Sequence, residues 1–449
     1  MYARGTSVMK SYGRSILVVL SLFQAATAHA LPEIQSWKTD KGAKVMFVEA
    51  HELPMIDVRI VFDAGGARDG KQPGVASLTN ALLDQGAAGL NADQIAQGFE
   101  QLGSNLGGGS ERDMAWVSVR SLTDSKLLKP SLELFGKVLT RPDFPEADFE
   151  RERKRTLIGL EYQKQKPKSI TSRAFYEGLY RDHPYAHDPS GTEASVKALS
   201  AGALREFYQR YYVARNATVV VVGDVTRKQA QTIAANLADA LPAGDKAPAL
   251  PEVAALKAGQ DTFIEHPTTQ SHVLMGGPGI KRGDADYFTL YVGNHILGGS
   301  GLVSRISQEI REKRGLSYSA YSYFVPMKRE GPYTLGFQTR NDQRQEALSV
   351  LRETLQTFID KGPTKKELQS SKNNIVGGFP MRVSSNGKIA EYLAVIGFYD
   401  LPLDYLSQFT AKIEAVSVEQ IQDAYQRRVH PDRMVTITVG GAPNSDPES

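Results

Sequence analysis

Apolar and polar positions along this chain fall into two periods. Over residues 55–64, Ile56, Val58, Ile60 and Phe62 occupy every second place, the signature of a strand with one buried face. Residues 37–50 read as a strand pair turning at Gly42, with Val45-Met46-Phe47-Val48 as its buried member. Further strands are predicted at 114–122, entered through the flexible Gly107-Gly108-Gly109, at 217–222, 262–264 and 434–439, and at 271–275, closing on Gly276-Gly277-Pro278-Gly279. Between them the spacing is helical at 74–83, 91–102, 145–165, 203–212, 287–297, 345–361, 365–376 and 417–428. Asn91 is placed to N-cap the second of these, Pro145 to open the third, and Ser417 with Gln420 to form a capping box on the last.

Residues 308–323 combine both periods. Glu309, Arg311, Glu312, Lys313 and Arg314 crowd a helix end that Gly315 stops. Leu316, Tyr318 and Ala320 then alternate with small polar residues as a strand would. Arg311 on the helix and Tyr318 on the strand can therefore point into one space. By itself the stretch reads first as a solvated helix end followed by an edge strand.

The end of the first half recurs at the end of the second. Tyr208-Gln209-Arg210 returns as Tyr425-Gln426-Arg427, and the strand closed by Gly223 returns as one closed by Gly440. Val58 to Gly66 corresponds loosely to His272 to Gly279, each followed by an apolar helix. The chain thus reads as two copies of one α+β unit: residues 31–240 and 261–441, joined by a Pro/Ala/Gly-rich linker at 241–260 and followed by a tail at 442–449.

Composition changes the picture at one end only. Arg4, Lys10 and Arg14 precede the apolar run Ile16 to Phe23, and Ala28-His29-Ala30 is an A-x-A cleavage site, so residues 1–30 are read as a secretory signal peptide and the chain as periplasmic. Without them 50 Lys+Arg face 50 Asp+Glu, which gives no support for a nucleic-acid partner. There is no cysteine, which excludes disulfides, thiol catalysis and thiolate metal sites.

Two homologous α+β halves with an Arg-Glu-Lys-Arg-Gly-Leu-Ser-Tyr corner in the second resemble the M16 peptidases, the pitrilysin, insulinase and mitochondrial-processing-peptidase relatives. The resemblance rests most on Leu297-Gly298-Gly299, Ser304-Arg305 and residues 308–319, with Asp63-Ala64-Gly65 and Gly74-Val75-Ala76 as weaker matches. It implies the M16, LuxS-like metallohydrolase fold, in which each half is a mostly antiparallel sheet covered by helices on one face, and two halves or two chains close around an unfolded peptide. Active members carry His-x-x-Glu-His on the helix after the Gly-Val-Ala turn: histidines four apart hold zinc, and the glutamate takes a proton from the metal-bound water. Here those positions are Ser77, Asn80 and Ala81, the third-ligand region falls at Leu157 to Gly159, and Glu161 is out of register. No zinc is expected in this chain. His183 and His187, with Pro184 between them, read as a loop, and His51, His266, His272, His295 and His430 as structural.

What the resemblance leaves is the second half's contribution, an arginine and a tyrosine seven residues apart that reach the substrate backbone across the chamber. Arg311 and Tyr318 match them. A guanidinium holds a carbonyl or carboxylate with a rigid fork, and a phenol donates to a developing oxyanion. Gly107, Gly108 and Gly109 match the edge that pairs with an extended peptide, and a flexible loop is the alternative. Three functional readings follow. The first is a non-catalytic subunit whose homologous partner bears His-x-x-Glu-His and zinc, the pair acting as a heterodimer on unfolded peptides. The second is a peptide-binding scaffold with no hydrolysis, and the third a stand-alone metallopeptidase with unrecognised ligands.

Overall fold

The computed structural model describes residues 33–441, so the expected signal peptide and tail lie outside the described residues. Strands β1 (Gln35–Lys38), β2 (Lys44–Glu49) and β3 (Met55–Phe62) open the chain. A small ribbon, β4 (Gly86–Ala87) with β5 (Leu90–Asn91), precedes β6 (Asn105–Ser110), β7 (Ala115–Leu122) and β8 (Ala217–Gly223). The second half supplies β9 (Gln260–Glu265), β10 (Gln270–Pro278), β11 (Ala320–Phe324), β12 (Pro332–Arg340) and β13 (Val435–Gly440).

Apart from the extra edge strand β1, the two sheets have one topology. The first runs β1-β2-β8-β3-β7-β6 and the second β9-β13-β10-β12-β11. Each has a single parallel pair, β2 with β8 and β13 with β9, and is otherwise antiparallel. Val222 lies opposite Asp57 in the first, and Val439 opposite His272 in the second. Strand alternation sorts the faces: Ile56, Val58, Ile60 and Phe62 join Val117, Val119, Val219 and Val221 in the main core of the first half, under helices that contribute Leu134, Phe135, Phe149, Leu204 and Ile233.

The opposite face of each sheet is covered by the other half. The helix Asn386–Phe398 packs on β2, β3 and β8 of the first sheet, and the helix Pro167–Tyr180 packs on β10 and β13 of the second. Close approach is built in. A Cβ on Gly397 would lie 2.5 Å from Thr218 Cγ2 and 2.8 Å from Met46 Cγ, while the Gly178 position leaves 3.2 Å to Val435 Cγ1. Around the second helix Phe175, Leu179, Tyr180 and Tyr185 cluster with Val435, Ile437 and Val439. Between the halves the chain buries Leu241, Leu250 and Leu256 before β9 begins.

Two local expectations change. Gly107, Gly108 and Gly109 are not an entry to a strand but lie within β6, the edge strand of the first sheet. The strand expected from Leu316 starts only at Ala320. Ser317 takes up the intervening hydrogen bonds: its hydroxyl donates to the carbonyls of Gln338 (2.7 Å) and Ser319 (2.8 Å), so Tyr318 stands on the approach to β11 rather than in it.

Candidate functional site

The helix Val75–Ala81 holds the three positions where zinc ligands were sought. It starts at Gly74, whose φ of +98° favours glycine. The buried Asp69 carboxylate accepts from the amides of Gly74 (2.7 Å) and Ala76 (2.9 Å), capping the helix at its positive end, and His187 Nε2 lies 3.1 Å from the same carboxylate. Ser77 is half-buried, Asn80 buried and Ala81 exposed. The Asn80 amide donates to the Trp116 carbonyl and to the Tyr212 hydroxyl, each at 3.2 Å. The side chain that stands where a catalytic base would be is thus a tie between helix, sheet and the Ala201–Tyr211 helix end. Glu161, from the third-ligand region, is exposed and paired with Lys164 at 3.1 Å. Among the described residues no group of three or more His, Asp or Glu side chains is placed to hold a metal. An amide spent on two internal partners, an alanine and a distant glutamate do not fit zinc.

The edge strand lies against this helix. A Cβ on Gly108 would come 3.2 Å from Asn80 Oδ1. Cβ atoms on Gly107 and Gly109 would meet the Trp116 indole, the latter at 2.9 Å, so the indole lies across the bare backbone of β6. The Arg59 guanidinium stacks on that indole, 3.8 Å from the ring centroid. The glycines thus have a packing role, and the strand they leave open is one bare backbone edge.

Arg311 and Tyr318 are brought together. Arg311 sits in the helical turn Gln308–Glu312, and Gly315, at φ +63°, ends it with its amide on Arg311 O at 2.9 Å. Glu309 is shared by Lys313 (2.6 Å) and Arg314 (2.7 Å), which leaves Arg311 only Glu312 at 3.5 Å. Its guanidinium stacks on Tyr318, 4.6 Å from the ring centroid. Tyr318 is 83% exposed, so its hydroxyl faces solvent. Among the described residues no hydrogen bond or ion pair joins this pair to β6 or to the Val75–Ala81 helix.

Sequence reasoning missed the junction of the halves. Asp113, buried in the turn between β6 and β7, accepts from the hydroxyls of Tyr185 (2.5 Å) and Tyr399 (2.8 Å) and from the Lys328 amide (2.7 Å). Burial raises its carboxyl pKa against the pull of those donors. Lys328 Nζ reaches Asp63, which also holds Arg68. These residues share no motif; only the topology assembles them. Two of the histidines have local partners: His183 Nε2 meets the Pro251 carbonyl at 3.1 Å, and His51 lies between Asp224 and Glu49 on the surface.

Two family models match the chain, the insulinase model of peptidase family M16 over residues 44–193 and the peptidase M16 inactive domain over residues 198–375. A protein of Helicobacter pylori named as the non-peptidase homolog YmxG is 25% identical over 415 residues, covering 91% of this chain and 94% of its own. The uncharacterized zinc protease YmxG of Bacillus subtilis is 24% identical, covering 80% of this chain and 86% of its own. Among solved structures, a peptidase M16 inactive domain from Pseudomonas fluorescens is 40% identical and superposes with a TM-score of 0.89, covering 91% of this chain and 98% of its own.

Proposed function

The chain belongs to the M16 peptidase family, as a member without the zinc-binding residues, and from that premise we propose that it is the non-catalytic subunit of a two-chain periplasmic peptidase. A homologous partner carries His-x-x-Glu-His and the zinc; this chain contributes half of the chamber, and Arg311 and Tyr318 act in trans. The observation that carries the reading is an asymmetry within the chain. Ser77, Asn80 and Ala81 no longer fit a metal, yet Arg311 and Tyr318 stand in contact with each other and open to solvent. The guanidinium holds a carbonyl of an extended peptide and the phenol donates to the oxygen on which charge develops. The bare edge of β6 is where an unfolded peptide adds as a further strand.

The test is co-purification with a homologous chain bearing the zinc motif, followed by peptide cleavage by each chain and by the mixture. Arg311→Ala and Tyr318→Phe are expected to lower the activity of the complex by roughly a hundred- to a thousandfold, the range for loss of one transition-state donor, without dissociating it. Full activity in both variants refutes the assignment. The glycine edge beside a lost metal site equally favours a peptide-binding scaffold with no hydrolysis. That reading is selected if the chain binds unfolded peptides and no zinc-bearing homologue associates with it.

A further inference from the structure

The internal repeat exposes an arginine that has lost its partner. After β3, Arg68 is closed off: its guanidinium donates to both oxygens of Asp63, at 2.7 and 2.8 Å, with both residues buried. The corresponding loop after β10 carries Arg282. With Asp57 and His272 at matching places in the two sheets, Asp63 corresponds to Pro278, and the strand ends Gly276-Gly277-Pro278 without a carboxylate. Arg282 accordingly has no ion pair and no side-chain hydrogen bond among the described residues, and its Nε is buried without a partner. Its guanidinium rests 5.5 Å from the centroid of the Tyr399 ring.

Arg282 lines a cavity of about 340 Å³, within the range of small-molecule sites. Phe288, Leu401, Tyr405 and Val416 supply an apolar and aromatic wall. Lys412 is a second cation without a carboxylate partner, 5.2 Å from the Phe288 ring. The acidic group in the lining, Asp284, is already taken by Arg428 at 3.2 Å. Two cations without a carboxylate partner beside an apolar wall suit an anion that also carries an apolar body.

We propose that this cavity binds a carboxylate carrying an apolar body of about the size of a phenylalanine side chain, the carboxylate on Arg282 and the body against Phe288, Leu401 and Tyr405. A free organic acid and the C-terminal residue of a peptide present the same chemistry. The proposal is independent of whether a zinc-bearing partner exists. It also places the ligand one side chain from the junction, because Tyr399, under Arg282, donates to Asp113 of the first half.

Calorimetric titration of the purified chain decides it, with N-acetyl-L-phenylalanine, its amide and sodium acetate as probes. The acid is expected to bind with a Kd on the order of a millimolar, and the amide and acetate about tenfold more weakly or worse. Arg282→Gln is expected to weaken the acid about tenfold and leave the amide unchanged. A short peptide ending in a free phenylalanine, compared with its C-terminally amidated form, separates the sources. Binding of the free peptide comparable to that of the acid assigns peptide C-termini; its failure beside a binding acid assigns free acids. The proposal is overturned if acid and amide bind alike, if the acid does not saturate the chain at tens of millimolar, or if folded Arg282→Gln binds the acid as before. The acid-against-amide comparison uses the unsubstituted chain, so it stands even if the variant fails to fold.

Discussion

Asp113→Ala should both destabilise the chain and uncouple its halves. The carboxylate receives three donors at 2.5, 2.7 and 2.8 Å, from Tyr185 of the first half and from Lys328 and Tyr399 of the second, and the residue is 4% exposed. Alanine leaves two phenols and an amide unsatisfied, at about 1–3 kcal/mol each. Relief from burying a charge offsets part of this, giving a net loss of about 3–5 kcal/mol. With about 2.1 cal/mol/K of unfolding entropy per residue over roughly 400 residues, that is a fall in Tm of about 4–6 °C. The assay exploits the placement of the tryptophans: Trp37 and Trp116, the only two, lie in the first half. Fluorescence therefore follows the first sheet while far-UV circular dichroism follows both. The unsubstituted chain should give coincident transitions and Asp113→Ala separated ones at a lower midpoint. The pH dependence has a definite sign. Burial raises the Asp113 carboxyl, so the folded state binds the proton more readily than the unfolded state. Its titration contributes stability that is complete below the unfolded value of 3.8 and is lost as pH rises through the folded value. The stability of the chain relative to Asp113→Asn should fall as pH rises from about 4. An Asp113→Ala stability within about 0.5 kcal/mol of the original, with coincident transitions, refutes the reasoning.

Gly397→Ala places a methyl 2.5 Å from Thr218 Cγ2 and 2.8 Å from Met46 Cγ; urea denaturation should show a loss of about 1–3 kcal/mol. The combined reversal Ser77→His, Asn80→Glu and Ala81→His should not restore zinc, because glutamate cannot donate to the Trp116 carbonyl as Asn80 does and no third ligand is at hand; metal analysis after dialysis would contradict this by finding one zinc per chain. Burial pushes the Glu367 carboxyl up, but Arg305 and Thr364 outweigh it and hold it at about 2. The pairing therefore contributes stability present above the unfolded value of 4.5 and lost as pH falls towards 2, a slope that Glu367→Gln should flatten in acid titrations followed by circular dichroism.

Elements whose pattern is one-sided were readable in the sequence. Strand β3 alternates, Asn91 and Ser417 cap their helices, the latter in the expected capping box, and five strands of each sheet share one order, in keeping with the repeat seen at Tyr208 and Tyr425. Among the helices not anticipated, two carry a feature that argues against reading a surface helix. Asn386–Phe398 is apolar nearly all round because a sheet of the other half covers it, and Ser125–Thr140 contains Pro130. In the site, the changed residues Ser77, Asn80 and Ala81 were legible by position, and Arg311 with Tyr318 by spacing. What replaced the metal was not. That Asn80 is tied to Trp116 and Tyr212, which lie 36 and 132 residues away, follows from tertiary placement alone. The same holds for Asp113 and for Arg282, whose significance emerges only when the two halves are compared at equivalent places in the sheets.

The exchanged helices bear on where a peptide chamber can open. Separating the two halves of one chain would strip the Asn386–Phe398 helix from the first sheet and the Pro167–Tyr180 helix from the second. The first of these helices buries Ile389, Leu393, Ile396 and Phe398, and the upper bound on the cost, with all four re-exposed, is about 6–12 kcal/mol. That rivals the whole folding free energy of an ordinary domain, about 5–15 kcal/mol, before the Asp113 network or the second helix is counted. A clam-like opening within the chain is therefore energetically costly. If peptides are admitted to a closed chamber, this cost favours a moving boundary between this chain and another. The proposed function makes the same demand: the two halves act together as one valve, with Arg311 and Tyr318 on one half and the β6 edge on the other.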